Sequence, residues 1–199
     1  MFTREEAKRL ADRILALSKA EGCQVNIGSG VDGNTRFAVN EISTSGDSTN
    51  VSVSITSRIG KRVASVSTNV LDDASLKTAV ENSERLARLA PEDPELMPLL
   101  PAQQYPAVTG FFDGTHRLDA GRRAAAVKAA TDKCVAGGMV GAGFIQRVAG
   151  SNAVANSAGL FAYHRTSVGG YTLTVRTPDG TGSGWAGTNH NDWGRTTPA

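Results

Sequence analysis

Two stretches have the glycine spacing of phosphate chemistry. GSGVDG at residues 28–33 and GSGWAG at 182–187 both fit G-x-G-x-x-G. In a dinucleotide site such glycines let the backbone approach a pyrophosphate, which then sits on the N-terminus of the helix that follows. Each match therefore needs a helix directly after it. Gly33 is followed by NTRFAVNEI, which reads as a strand, and Asp32-Gly33 is itself a hairpin-turn signal. Gly187 is followed by TNHNDWGRTTPA, which is not helical, with no acidic residue about 20 positions on. GGMVGAGF at 137–144 leaves a helix and enters a strand. None of these is read as a nucleotide site.

Hydrolytic zinc needs three protein ligands, a water and usually a carboxylate base. The histidines are His116, His164 and His190, no two of them at i, i+4, and all eight glutamates lie at or before Glu95. His190-Asn191-Asp192 offers two ligands without a third nearby. No metal site is assigned to this chain. No G-x-S-x-G elbow is present, and Cys23 and Cys134 read as reduced, structural thiols. Arg122, Arg123 and Lys128 share one segment but are interrupted by Asp119 and Asp132, so they read as a solvated helix face. Trp185 and Trp193 lie in Gly-rich sequence, either as packing residues or as the mark of a surface that another domain covers, and the second is favoured. No residue is assigned as catalytic.

The elements carrying these residues follow from pattern. Thr3-Arg4-Glu5-Glu6 is a capping box opening a helix over 4–20, with Gly22 as its stop. Strands are expected at 24–28, 36–42, 50–59 and 62–69, with a turn at Gly60-Lys61 and a wet face of Ser and Thr between Ser43 and Ser57. Asp72 and Asp73 open a second helix whose stripe is Leu76, Ala79, Val80, Ser83, Leu86, Ala87 and Ala90. Residues 91–106 hold five of the seven prolines and read as an extended connector. Beyond it come a strand at 107–112, a helix at 119–136, and strands at 139–148, 153–156, 160–168 and 171–177. Turns are expected at 150–152, 157–159, 169–170 and 178–180. The fold class is α+β: two small helix-plus-antiparallel-sheet units, 1–90 and 107–199, joined by the Pro-rich connector.

The 199 residues are 40% hydrophobic and carry a net charge of +2. That balance argues against nucleic acid and anionic membranes as partners. No apolar run reaches the length of a membrane span and the N-terminus is no signal peptide, so a cytoplasmic protein is expected.

NTRFAVNEI, a polar strand, RIGKRVASVSTN and an Asp-led helix, taken in that order, resemble the start of the TldD/PmbA family. So does VANSAGLFAYHRTSVGGYTLTVRTPDGTGSGW, with its ANS-x-G turn, and the Pro-rich segment near YPAV fits in place. The resemblance implies zinc metallopeptidases and their partner subunits, also called modulators of DNA gyrase, which act on small or flexible polypeptides. It places H-E-x-x-x-H in a C-terminal domain of the active subunit, and this chain has neither the motif nor that domain. What is implied is the non-catalytic N-terminal region, which lines a substrate cleft or pairs subunits. Zinc is expected only in the full-length protein or its partner. The implied partners are the C-terminal domain, a homo- or heterodimeric family subunit and a peptide. The alternatives are the same region of a non-catalytic subunit, or a stand-alone interaction module. Arg36, Asn40, Arg176 and Trp185 are the residues expected to contact substrate or partner.

Overall fold

The computed structural model describes residues 1–196. In chain order it contains α1 (Arg4–Leu17), β1 (Gly22–Ala38), β2 (Glu41–Ile59), β3 (Arg62–Thr68), α2 (Asp73–Leu89), α3 (Asp113–His116), α4 (Ala120–Ala136), β4 (Val140–Asn156), β5 (Phe161–Arg176) and β6 (Ser183–His190), with a 3-10 turn at Trp193–Arg195. The strands form one six-stranded antiparallel sheet in the order β3-β2-β1-β4-β5-β6, so the fold is α+β. No described helix is long and apolar enough to cross a membrane. Two compact units are built from interleaved segments: 1–29, 50–108 and 151–164 in the first, 30–49, 109–150 and 165–199 in the second. Residues 91–106 run within the first.

The helix starts follow from side-chain chemistry. Thr3 and Glu6 exchange capping bonds at α1, and Asp72 and Asp119 accept the N–H groups of Ser75 and Arg122 at α2 and α4. In the first unit, Leu10 and Ile14 of α1 and Leu76 and Val80 of α2 pack on Val25, Ile27, Val53 and Ile55. Fully burying side chains such as Ile14, Ile55 and Leu76 stabilises by about 1.5–3 kcal/mol each. On α2 the buried stripe includes Glu84 in place of the expected Leu86, which is half-exposed. The Glu84 carboxylate accepts the N–H groups of Lys19 (2.6 Å) and Ala20 (3.1 Å), holding the chain just after α1. That bond set explains why α1 stops at Leu17 and not at Ala20.

The ANS-x-G turn has a physical basis. Buried Asn156 accepts the N–H groups of Ala158 (3.0 Å) and Leu160 (3.1 Å) and donates to the Leu100 carbonyl (2.9 Å). Gly159 takes φ +94°, a value that L side chains disfavour.

The strands differ most from expectation. β1, β4 and β5 run unbroken through Asp32-Gly33, Gly150-Ser151-Asn152 and Gly169-Gly170, which were expected to turn. These glycines mark close approach inside a strand. A Cβ at Gly30 would lie 3.0 Å from the Ala149 carbonyl oxygen, and one at Gly169 would lie 2.8 Å from the Trp193 ring. β6 was not anticipated, and 107–112 forms no strand. The first hairpin turns instead at Val39-Asn40, both at positive φ (52° and 62°) as a two-residue hairpin loop requires. Asn40 tolerates that region and is clamped there. Its Nδ2 donates to the Met139 carbonyl (2.9 Å) and its Oδ1 accepts from Gly141 N–H (2.7 Å).

Replacing Asn40 by Ala removes both bonds and leaves a Cβ residue at positive φ without compensation. A loss of about 1–3 kcal/mol is expected in urea unfolding. An unchanged midpoint and slope would show that the turn does not depend on the clamp.

Candidate functional site

The second unit has a helix-covered side and an open side, set by strand alternation. On the covered side Phe37, Ile145 and Tyr171 meet Leu118, Val127 and Ala130 around α4. The Tyr171 hydroxyl reaches the Ala126 carbonyl (3.3 Å), and burial pushes its pKa up to about 12.

Arg123 lies in this covered layer. The sequence reading placed it on a solvated face, but it is 0% exposed. It falls on the buried stripe of α4 with Val127, Ala130, Thr131 and Cys134. Its Nε donates to Thr35 Oγ1 (3.1 Å) and its Nη1 to the Leu118 carbonyl (3.0 Å). Nη1 and Nη2 grip the two oxygens of Asp47 at 3.0 and 2.9 Å. Arg147 donates to Asp47 Oδ1 (2.7 Å) and to the His116 carbonyl (2.7 Å). One carboxylate thus serves two arginines. The hydrogen bonds from Arg123 hold the Asp47 pKa below its ordinary 3.8. Gly33 makes room for the cluster: a Cβ there would lie 2.3 Å from Asp47 Oδ1 and 2.4 Å from Arg123 Nη1. The second glycine of Asp32-Gly33 is therefore a packing residue.

The histidines do not assemble a hydrolytic metal centre. His116 Nδ1 is buried without a partner, and burial followed by the charge of Arg147 lowers its pKa. His190 Nδ1 accepts the Asp192 N–H (2.9 Å). Among the described residues no three His, Cys, Asp or Glu side chains gather as metal ligands. The side chains present do not fit a hydrolytic zinc.

The open side holds a groove of about 310 Å³. Phe144 and Gln146 of β4, Gly170, Tyr171 and Thr172 of β5, and Trp185, Gly187, Thr188 and Asn189 of β6 line it. None of the lining residues is charged. Trp185 is 69% exposed, and its benzo edge lies over Gly187, where a Cβ would come within 2.6 Å of it. The Arg36 guanidinium sits 4.8 Å from the centre of the Phe144 ring. Of the four residues singled out from sequence, Trp185 lies in the groove, and Arg36 lies against its wall at Phe144. Arg176 is exposed at the end of β5, paired with Ser183, and Asn40 is engaged in the first hairpin turn. Trp193 packs against the core around α4. Sequence reasoning missed Gln146, Thr172 and Asn189, because they show their common face only once β4, β5 and β6 are aligned.

Replacing Asp47 by Asn leaves two arginine side chains buried without a counter-charge and should cost about 3 kcal/mol in chemical denaturation. Gly33→Ala forces the cluster apart and should cost about 1–3 kcal/mol. Because the folded pKa of Asp47 is depressed, its contribution is complete above the unfolded value near 3.8 and is lost as pH falls through the lower folded value. Acid titration of stability should lose this component in Asp47→Asn. Identical acid profiles for the two proteins would contradict the assignment.

The comparisons with known proteins fit this geometry. Residues 23–87 match the family model for PmbA/TldA metallopeptidase domain 1. The fold is similar to that of TldE from Thermococcus kodakarensis, with TM-score 0.77 and 15% identity over 94% of this chain and 43% of that one. It is also similar to a candidate modulator of a DNA gyrase from Thermotoga maritima, with TM-score 0.78 and 13% identity over 92% of this chain and 42% of that one. A third, from Bacteroides thetaiotaomicron with a similar description, gives TM-score 0.77 and 14% identity, covering 95% and 45%. This chain thus spans less than half the length of these structures. A search of the curated proteins found no match. Residues 23–87 thus resemble the first domain of the TldD/PmbA family, and the solved structures of similar fold share that architecture.

Proposed function

We propose that this chain is the non-catalytic, polypeptide-facing region of a TldD/PmbA-type protein, in which a further domain or a partner subunit supplies zinc-dependent peptidase chemistry. The observation that carries this reading is the uncharged groove on the open side of the second unit, with an exposed indole on its wall. Such a surface suits an unfolded chain: an aromatic wall for apolar side chains and neutral polar groups for the backbone. The family model's description as a metallopeptidase domain supplies the reaction class. The chain's share of the structures it resembles leaves room for the chemistry elsewhere. The net charge of +2 gives no support to contact with DNA.

A second role, pairing with another family subunit, is favoured by β6. It is an edge strand, and its sequence SGWAGTNH has no proline and no Lys, Arg, Asp or Glu to discourage pairing.

The polypeptide reading is tested by titrating the chain with a reduced, alkylated, unfolded protein while following tryptophan emission. A saturable change that Trp185→Ala removes without altering the unfolding midpoint is expected. Folded chain showing no response to any unfolded polypeptide would overturn the reading. The pairing role predicts concentration dependence in sedimentation that Thr188→Lys, on the exposed edge strand β6, suppresses. A strict monomer at all concentrations, alone and with a family subunit, would remove it.

A further inference from the structure

The short helix α3 and the residues before it are stitched to β5 and to the chain that leaves β6. Ser167 of β5 donates its N–H to the Gly110 carbonyl (2.9 Å), and its hydroxyl accepts the Phe112 N–H (2.9 Å). Thr115 is wholly buried. Its hydroxyl donates to the Asn191 carbonyl (2.7 Å) and accepts the Trp193 N–H (2.7 Å). The Asn191 side chain donates in turn to the Ser167 carbonyl (2.8 Å). Polar groups that satisfy one another in this way act together, so losing one member weakens the rest. His116 is the next residue after Thr115. Its carbonyl is held by Arg147 (2.7 Å), while its Nδ1 is buried with no hydrogen-bond partner among the described residues. Its ring lies against Phe111 (5.6 Å between centres), and the Arg165 guanidinium sits 3.7 Å from the centre of that same Phe111 ring. The charges that act on the imidazole include Arg147 from β4, Arg165 from β5 and Asp113 from α3 itself. Arg117 follows it in the chain, and the 3-10 turn packed on α3 begins after Asp192, whose Oδ1 accepts the Gly194 N–H, and ends with Arg195. Asp47, the counter-charge of Arg147, is already shared with Arg123.

We propose that His116 is an acid-sensitive latch: neutral, it lets α3 hold the chain at the end of β6, and on taking up a proton it releases that hold. An imidazolium carries an N–H on both ring nitrogens. The one on Nδ1 would sit in a buried place with no acceptor, and a third cation would stand beside Arg147 and Arg165 with Asp113 alone on α3 to offset them. An unpaired buried donor and close like charges both favour opening over charging in place. Because α3 is a single turn of four residues, displacing His116 displaces Thr115 with it, and the Thr115 bonds to Asn191 and Trp193 are lost. The direction of the response follows from linkage. Burial, followed by the charge of Arg147, lowers the His116 pKa from its ordinary 6.5. The opened chain therefore binds the proton more readily than the closed one. The latch is complete above the ordinary value and is lost as pH falls from there toward the lower folded value. Asp47 answers only below its ordinary 3.8, so the two responses occupy different windows. The latch stands whatever the groove binds; opening it frees the end of the strand that carries Trp185.

The test is amide hydrogen exchange of the whole chain between about pH 7.5 and about pH 5, corrected for the intrinsic effect of pH on exchange. The Phe112 and Trp193 amides should lose about tenfold in protection as pH falls through this window, while the amides of α1 and α4 keep theirs. His116→Phe keeps a ring against Phe111 and takes up no proton, so its protection should be flat with pH. Arg165→Gln removes one of the two cations, lets the imidazole charge in place and should shrink the loss. His190→Gln should leave the loss as it is in the wild-type chain. If His116→Phe fails to fold, the imidazole signals of the wild-type chain decide: His116 should titrate below 6.5, and the Trp193 amide shift should follow it with the same midpoint. A His116 midpoint at or above 6.5 overturns the latch. So does a Trp193 amide that ignores the His116 titration, an equal loss in His116→Phe, or a loss that His190→Gln removes.

Discussion

Two arginines cannot be buried on one side of a sheet without a counter-charge, and in the second unit Asp47 is that counter-charge. Its two oxygens hold Arg123, wholly enclosed, and Arg147, nearly so. Desolvating a guanidinium costs several kcal/mol, and the cost is met only when geometry and hydrogen bonding are both good. Here Thr35 and the Leu118 and His116 carbonyls complete the bonding. Arg123 comes from α4, Arg147 from β4 and Thr35 and Gly33 from β1, so one ion cluster ties the helix to the strands beneath it. Of these strands, β4 also carries the groove on its other side, through Phe144 and Gln146. The groove is thereby built on elements whose register the cluster helps to fix, which suits a surface that depends on where a few side chains converge.

Much of this was legible in the sequence where a local rule decides the outcome. The Thr3–Glu6 box and the Asp72 cap each act over a few residues, and the structure follows them. Reading failed where a residue answers to something distant in sequence. Gly33, Gly150 and Gly169 carry the composition of turns, yet they sit in unbroken strands. Gly33 lacks a side chain because Asp47, Arg123 and Arg147 fill that space, and Gly169 because Trp193 does. Arg123 was readable in principle. It stands four residues before Val127 and seven before Ala130, on the apolar stripe, and a charge there is a demand for a partner more than a mark of exposure.

The candidate site was half legible for the same reason. An exposed tryptophan in Gly-rich sequence points to a surface with a use, and Trp185 is on the groove. Gln146 and Asn189 are ordinary amides forty-three positions apart, and only the pairing of β4, β5 and β6 brings them over the same glycine. The family-model match does not reach them, since it covers residues 23–87. Among the described residues no three His, Cys, Asp or Glu side chains gather as ligands for a hydrolytic metal. The groove side chains form a neutral face with an exposed indole and two side-chain amides, the features on which the recognition role proposed above rests.

Hydrogen–deuterium exchange of the chain, with and without a saturating unfolded polypeptide, tests that assignment most directly. The account predicts slowed exchange in β6 over residues 183–190 and in the facing parts of β4 and β5, with α1 and α2 unchanged. Protection confined to α1 and α2, with β6 exchanging as fast as in the free chain, would contradict it.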